Sequence, residues 1–424
     1  MADKEKIKNY AVRIGAVLVC SAAFVGISSG LQTAADGAGK KLPGEIEYKQ
    51  AEAPAAANEN GVVTADEWAE IYPEIVASYK ANDDNSYRVD YLEQDPYIAD
   101  LYEGFGFAKD YTSAIGHTYT LEDVSGTERP HPLANCLTCK TPDYTKLVND
   151  MGVEAYQLDF EETFAQMNEN ISCYNCHENQ AGNGGKLVVT HSYIANALGD
   201  EMQNVNAAVL ACGQCHIEYY FDPETKATSV PYDSVAAMDP EKMLAYYNEI
   251  GFSDWTQEST GTGLVKAQHP EFETFMNGSV HASALNCADC HMATSVSGEG
   301  VTYTSHKWES PLANQAILDT CVQCHGNTDM TEKVHAIQEE VTAREREVGE
   351  KIAVLKNTLA DAVAAGEMSE DELNEIRSLY RDAQWYWDYV YVENSEGAHN
   401  SSLAKGCLEK SEALVDEAMG LFEA

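Results

Sequence analysis

From Val334 onward the apolar positions fall at threes and fours, at Val334, Ile337, Val341, Val348, Ile352, Leu355, Leu359 and Val363, interleaved with Glu, Lys and Arg. That spacing predicts one long amphipathic helix. Gly366 ends it, and Ser369 with Glu372 forms a capping box that opens a second helix through Tyr380, Trp385, Trp387 and Tyr391. A third helical stretch is expected from about Ser401 to Phe422, with Cys407 as a small core residue. The centre of the chain, 66–327, reads as short helical pieces broken by Gly, Pro and Asn, with few convincing strands. The expected fold class is therefore mainly α, with little strand and long helices in a C-terminal region, 328–424.

The N-terminus follows a different pattern. Lys4, Lys6, Lys8 and Arg13 precede an apolar run from Ile14 to Ile27. Such a run is short for a membrane span and suits the apolar core of a signal peptide, so 1–29 is read as a signal peptide or a retained membrane anchor. Cys20 lies inside that run, in Val17-Leu18-Val19-Cys20, a poor context for lipid attachment, and is read as a buried thiol. Residues 30–65, rich in Ala, Gly, Glu, Asn and Pro without apolar periodicity, read as a flexible linker.

Composition narrows the function classes. The 424 residues carry 27 basic and 69 acidic side chains, a formal net charge of −42, which argues against nucleic-acid binding. A hydrophobic share of 44% supports a real core. A chain this long needs no disulfide staples, so its 12 cysteines require another explanation.

Ten of them form five Cys-x-x-Cys pairs: Cys136/Cys139, Cys173/Cys176, Cys212/Cys215, Cys287/Cys290 and Cys321/Cys324. In four pairs the next residue is a histidine, namely His177, His216, His291 and His325. Zinc ribbons pair cysteines in this way but have no use for a histidine directly after each pair. The pattern is the signature of covalent haem c attachment: the two thiols lie on one side of a helical turn, in reach of two vinyl groups, and the imidazole comes beneath the iron. The first pair instead ends in Lys140, which would ligate iron through a neutral amine; a degenerate site and a chance thiol pair are the bland alternatives. Haem attachment also demands export, to the periplasm or the outer face of the cytoplasmic membrane. The expected core is then one of closely packed haems.

Four Cys-x-x-Cys-His motifs after one Cys-x-x-Cys-Lys motif resemble the pentahaem, ammonia-forming cytochrome c nitrite reductase family. The resemblance runs from about residue 66 to the C-terminus and includes His216-Ile-Glu218-Tyr219-Tyr220-Phe221 and Lys266-Ala-Gln268-His269-Pro270. It implies five haem c groups and one calcium ion. Glu218 and Gln268 would give the calcium side-chain oxygens, and Tyr219 and Lys266 their backbone carbonyls. Tyr219, a protonated His269 and an arginine would face the substrate side of the Lys140 haem. Arg129, the only arginine between Arg88 and Arg344, is assigned to that place. The resemblance pairs His306 with His177, His117 with His216, His399 with His291, and His281 with His325 as axial ligands. His131, His191 and His335 are left without a role, with a place at the active-site entrance as the alternative for His131.

The implied reaction is six-electron reduction of nitrite to ammonium at the lysine-ligated haem, fed by four bis-histidine haems. The alternatives are a pure multihaem electron carrier and a sulfite- or hydroxylamine-directed relative. The resemblance further implies a homodimer through the long C-terminal helices, and a multihaem quinol dehydrogenase or a soluble cytochrome as electron donor. An anion drawn into so acidic a protein also calls for a local positive funnel around Arg129, Lys140 and neighbouring lysines.

Overall fold

A computed structural model describes residues 60–85, 87–178 and 186–423. The apolar run at 14–27, Cys20 and most of the stretch read as linker lie outside the described residues. Residues 296–302 fall outside the unit made by Tyr48–Ser295 and Tyr303–Ala424, to which everything below refers.

Nine helices position the site and its support, in chain order α1 (Ala65–Trp68), α2 (Pro142–Met151), α3 (Cys173–Cys176), α4 (Ala207–Gly213), α5 (Cys287–His291), α6 (Gln315–His325), α7 (Met330–Ala365), α8 (Glu370–Tyr391) and α9 (Ser401–Leu421). Short helices and 3-10 turns join the first six. Strand among the described residues is confined to three two-stranded sheets. In one hairpin β1 (Tyr220–Phe221) pairs with β2 (Thr228–Ser229), and in another β3 (Trp255–Gln257) pairs with β4 (Thr262–Leu264), Trp255 opposite Leu264. These hairpins matter by position: β1 starts just after Glu218-Tyr219, and β4 ends just before Lys266.

The chain packs a few residues earlier than the expected end of the linker. Thr64 and Glu67 form a reciprocal capping box that starts α1, and Val62, Val63, Ala65 and Trp68 are buried.

The C-terminal helices follow the apolar pattern closely. Asp329 Oδ1 accepts from Glu332 N at 3.0 Å to open α7, and Gly366, at φ +65°, ends it in the left-handed conformation a side chain would resist. Ser369 N donates to Glu372 Oε2 at 2.8 Å and Glu372 N to Ser369 Oγ at 3.3 Å, so the expected box opens α8. Cys407 is buried in α9. Helix α8 packs against both α7 and α9 and buries Tyr380, Trp385, Trp387 and Tyr389. Each tryptophan removes on the order of 200 Å² from water, roughly 5 kcal/mol of gross apolar stabilisation. Their indole N–H groups are satisfied: Trp385 Nε1 donates to Pro240 O at 2.8 Å and Trp387 Nε1 to Glu345 O at 2.9 Å. The protein thus has an aromatic core of its own beside the motif-bearing segments.

That core needs a glycine. At Gly349 in α7 a Cβ would meet the Tyr97 ring at 2.5 Å and Trp387 Nε1 at 2.9 Å. Alanine normally stabilises a helix interior by about 1 kcal/mol over glycine, but here the overpacking costs roughly 1–3 kcal/mol. Gly349→Ala is therefore expected to lower the thermal unfolding temperature of the holoprotein, followed by the helical circular dichroism band; an unchanged or raised temperature would contradict this packing.

Candidate functional site

The four Cys-x-x-Cys-His segments share one local geometry. Each sits on or at the end of a helical turn, in α3, α4, α5 and α6. His177 N donates to Cys173 O at 2.8 Å and His216 N to Cys212 O at 3.0 Å, so both thiols and the imidazole leave the same turn. The lysine motif is wound more tightly. Cys136 lies in a 3-10 turn, Ala134–Leu137, and Lys140 N donates to Leu137 O at 3.0 Å.

The paired cysteines are not equally enclosed. Nine of the ten are partly buried, whereas Cys324 is exposed. The cause is its place in the fold. Cys324 lies on the last turn of α6, where Val322, Gln323 and the residues Gly326–Asp329 that lead into α7 are exposed as well, and no other motif packs over it. Cys321, one turn earlier, is tied inward by its thiol, which donates to Ile317 O at 3.5 Å, and Ile317 is buried. The last motif therefore has one inner and one outer thiol, and a group bound to both would stand at the edge of the molecule.

Each motif histidine faces a second histidine from a distant segment. Ring centroids are 6.0 Å apart for His117 and His216, and 6.1 Å for His177 with His306, His281 with His325, and His291 with His399. Two imidazoles astride one metal ion, each bonding at about 2 Å with the ligating nitrogen about 1 Å from its ring centre, stand about 6 Å apart. The residues present therefore fit axially ligated haem at four places, in the same four pairings that the resemblance implies.

Local contacts hold the second histidines. His306 N donates to Ser78 Oγ at 2.8 Å, and Asn82 Nδ2 donates to His306 O at 2.8 Å. Trp308 stands edge-on to His117, 4.5 Å between ring centres. Thr120 Oγ1 donates to Lys140 O at 2.5 Å, which ties the lysine motif to the turn carrying His117.

The thiols of different motifs also meet. Cys139 lies close to Cys215, and Cys287 lies in electrostatic range of Cys212. Cys139 Sγ, Cys215 Sγ and a ring nitrogen of buried His191 lie within 4.8 Å of one another. His191, for which the sequence offered no role, stacks on Tyr193 and packs against Cys215 Sγ at 3.5 Å. Groups carried by the first, third and fourth motifs would thus sit edge to edge.

Around the lysine motif the expected polar residues gather. Tyr219 lies in electrostatic range of Cys139, Cys136 and Arg129, while His269 lies in range of Lys140 and His216. Burial pushes the Tyr219 hydroxyl up, so it stays protonated, whereas His269 is exposed.

Arg129 is held by residues the sequence reading missed. Its guanidinium carbon lies 4.4 Å from the Phe107 ring centre, and Lys266 Nζ lies 5.2 Å from the same centre. Gly106 is the other half of the seat, since a Cβ there would meet Arg129 Cγ at 3.3 Å. Asp110 Oδ2 accepts from Thr127 Oγ1 at 2.6 Å and Glu128 N at 2.7 Å, fixing the loop that carries the arginine. The only sequence signal was the short Gly104-Phe-Gly-Phe107 string, which has no distinctive chemistry by itself.

The oxygen-rich cluster is centred on a buried carboxylate. Glu218 is 0% exposed; Tyr247 OH donates to its Oε1 at 2.9 Å and Gln268 N to its Oε2 at 2.6 Å. Gln268 Nε2 donates to Lys266 O at 2.9 Å, so Glu218, Gln268 and the Lys266 carbonyl are brought together. Burial, then repulsion from Glu273 and Asp254, drives the Glu218 carboxyl well above its ordinary range. Glu273 is pushed up to about 8, again chiefly by burial, and its Oε2 is buried without a hydrogen bond. Such an acidic, all-oxygen cluster fits a hard divalent cation.

The positive funnel is not found beside Arg129. A cavity of about 460 Å³ there is lined by Arg129 and His131 but also by Glu128, Asp159 and Glu161, and by no lysine. Two of those acids have a local cause. Asp159 caps the short helix Phe160–Phe164, with Glu161 in its first turn, where carboxylates stabilise helix starts. His131, left without a role in the sequence reading, stacks edge-on against Phe160, 4.1 Å between ring centres.

Thioether-forming cysteine pairs on helical turns, with imidazoles paired across 6 Å, define a multihaem c-type cytochrome. Residues 64–423 match the family model described as cytochrome c552, and the chain belongs to that family. Among solved structures it is similar to NrfA, the catalytic subunit of cytochrome c nitrite reductase from Desulfovibrio desulfuricans, described with two calcium sites. The TM-score is 0.76 at 26% identity, over 86% of this chain and 87% of that one. Two larger multihaem cytochromes share less: the outer cell wall cytochrome OcwA (TM-score 0.39, 18% identity, 71% of this chain and 48% of that chain) and the S-layer undecahaem cytochrome of Carboxydothermus ferrireducens (TM-score 0.38, 18% identity, 72% and 41%). The mainly helical multihaem cytochrome fold and the long C-terminal helices expected from sequence are thereby met.

One buried ion pair anchors the strand-exit segment on which Gln268 and His269 lie. Lys266 Nζ donates to Asp388 Oδ1 at 3.1 Å, Ala267 N donates to Asp388 Oδ2 at 2.9 Å, and Tyr102 OH donates to the same carboxylate; both charged side chains are at most 2% exposed. Asp388→Asn would leave the lysine cation buried without a counter-charge, a loss of roughly 3–5 kcal/mol. The expected outcome is a lower unfolding temperature or a failure to accumulate holoprotein, read by haem absorbance; wild-type stability would contradict it.

Proposed function

We propose that this chain reduces nitrite to ammonium, taking up six electrons and eight protons and releasing two waters, with Lys140 as the axial ligand of the reacting haem. The observation that carries the reading is an asymmetry. His117, His281, His306 and His399 each face a motif histidine, and none is left for Lys140. His191 is taken up against Cys215, His131 lines the cavity beside Arg129, and His335 is exposed. What gathers around the lysine motif instead is Arg129, Tyr219 and His269, a set suited to an oxyanion. Five haem c groups, attached through the ten paired cysteines, would supply electrons singly and, at the lysine-ligated iron, a position open to substrate.

The chain's own residues do the rest. Arg129, seated on Phe107, presents a planar fork to the two nitrite oxygens. His269, protonated, hydrogen-bonds the nitrite oxygens and passes its proton to a departing oxygen. Tyr219 stays protonated and keeps a hydroxyl donor on the substrate. Glu218, Gln268 and the carbonyls of Tyr219 and Lys266 would hold one calcium ion, offsetting the buried carboxylates and stiffening both the Tyr219 and the His269 strings. A half-turn of the Gln268 amide brings its oxygen beside the Lys266 carbonyl.

The same reading places the protein outside the cytoplasmic membrane as a homodimer built on α7, whose Val354 is 56% exposed. A membrane-bound multihaem quinol dehydrogenase or a soluble multihaem cytochrome would donate its electrons.

The purified holoprotein with reduced viologen is expected to convert nitrite to ammonium; absence of turnover would overturn the reading, and turnover of sulfite alone would point to a sulfite-directed relative. Arg129→Gln should lower nitrite turnover by roughly 10²–10³. Lys140→His should change both the high-spin spectrum and the rate, and a variant unaltered in both would show that Lys140 is not a ligand. Removing calcium with a chelator is expected to lower both activity and unfolding temperature, with recovery on adding calcium but not magnesium.

A further inference from the structure

The imidazoles facing one another differ in what they find on the second ring nitrogen. His306 Nδ1 lies 3.0 Å from Thr304 O and His291 Nδ1 3.1 Å from Glu309 O, both neutral backbone acceptors. His216 Nδ1 lies 3.8 Å from Glu271 Oε2, beyond hydrogen-bond reach. His399 Nδ1 lies 2.6 Å from Glu393 Oε1, a short bond to a carboxylate that is 4% exposed.

Glu393 is fixed in that position. Ser395 Oγ donates to its Oε2 at 2.5 Å and accepts from His399 N at 2.9 Å. The turn that makes this possible, between α8 and α9, contains Glu396 and Gly397 at positive φ. A Cβ on Gly397 would meet Val341 of α7 at 2.7 Å, so the turn is pressed against the long helix. The carboxylate therefore cannot easily swing away from the ring.

A carboxylate accepting from Nδ1–H gives the imidazole part of the character of an imidazolate and makes its other nitrogen the stronger donor to a metal. Its charge, desolvated and close to the metal, also favours the more positive oxidation state. His291, across the pair, bonds a backbone carbonyl as well, so both imidazoles of this pair are backed.

We propose that Glu393 sets the reduction potential of the haem carried by Cys287 and Cys290 and makes it the lowest of the four bis-histidine haems. The inference rests on the reading of His291 and His399 as axial ligands. It also has a functional consequence. Cys287 lies in electrostatic range of Cys212 of the third motif, which in turn adjoins the lysine motif through Cys215 and Cys139. A low potential at that place makes the haem one that electrons cross and do not rest upon.

The test is a spectroelectrochemical titration of the holoprotein, with haem content and the low-spin resonance spectrum recorded for every variant. Wild type should show four low-spin bis-imidazole haems; fewer would overturn the ligation reading itself, and this inference with it. Glu393→Gln keeps an acceptor for His399 and removes the charge. It should move the most negative low-spin midpoint positive by about 59 mV, a tenfold change in the ratio of oxidised to reduced haem, while the other midpoints stay in place. Glu393→Asp keeps the charge and should lie close to wild type. No movement in Glu393→Gln, or the same movement in both variants, would overturn the proposal, because charge would then not be the cause. Should Glu393→Gln fail to mature, Ser395→Ala tests the carboxylate from its other side. It removes a competing donor and should move the same midpoint negative, and a stationary midpoint would again overturn the proposal.

Discussion

Imidazoles must stand about 6 Å apart in pairs, and each pair joins residues far apart in the chain: His117 with His216, His177 with His306, His281 with His325, and His291 with His399. Much of the structure can be understood as the means of keeping those separations. Short helical turns present the cysteines and the first imidazole together, because only a turn brings positions one, four and five to one side. Turns and loops deliver the second imidazole, and each is tethered by groups outside the motif, such as Ser78 and Asn82 on His306. Regular sheet has little place here, since no two long segments need to run side by side in this part of the chain. The hairpins that do occur serve as stalks for the strings that face the lysine motif.

The C-terminal helices answer a different demand. Haem-bearing segments are mostly short and contribute little mutual burial, so stability has to come from elsewhere. Helix α8 supplies it with a run of aromatic residues locked between α7 and α9. The same helix reaches into the site through Asp388, which holds Lys266 and so the approach to Gln268 and His269. The turn after α8 then carries Glu393 and His399. Scaffold and site share one helix, so a packing defect in the aromatic core would reach the Lys266–His269 string through a single rigid element.

How much of this was legible in the sequence depended on how local each signal was. The haem motifs are contained within five residues, and the capping signals Ser369/Glu372 and Gly366 within four, so both could be read directly. The four histidine pairings were legible only through resemblance, because nothing in the sequence itself brings His117 near His216. Nor does a motif say how deep it lies: Cys321-Val-Gln-Cys324-His reads like the other three, yet Cys324 is exposed because α6 ends at the edge of the molecule. Residues that act by position alone were not legible. Phe107 reads as an ordinary core aromatic, Glu393 as one acid among 69 acidic side chains, and His191 as a lone histidine. Their roles arise from a cation over a ring, a 2.6 Å bond and a thiol contact, none of which a local pattern announces. The funnel failed for a related reason. It was argued from the net charge of the chain, whereas the acids beside Arg129 are there to start a helix.

That failure sharpens the question of how an anion is held in so acidic a molecule. At physiological ionic strength the field of exposed charges decays over about 8 Å, so most of the −42 has little reach into a buried site. What matters is the charge within a few ångströms. Phe107 has the Arg129 guanidinium 4.4 Å and the Lys266 ammonium 5.2 Å from its ring centre, so two cations sit close together on one aromatic ring. Asp388 neutralises the lysine directly, while Arg129 is met by the more distant Asp110, whose hydrogen bonds go to the loop backbone and Thr127. Among the described residues, no carboxylate forms a direct ion pair with Arg129. On the proposed reading, selectivity for a small oxyanion would follow from one oriented guanidinium and would need no positive surface.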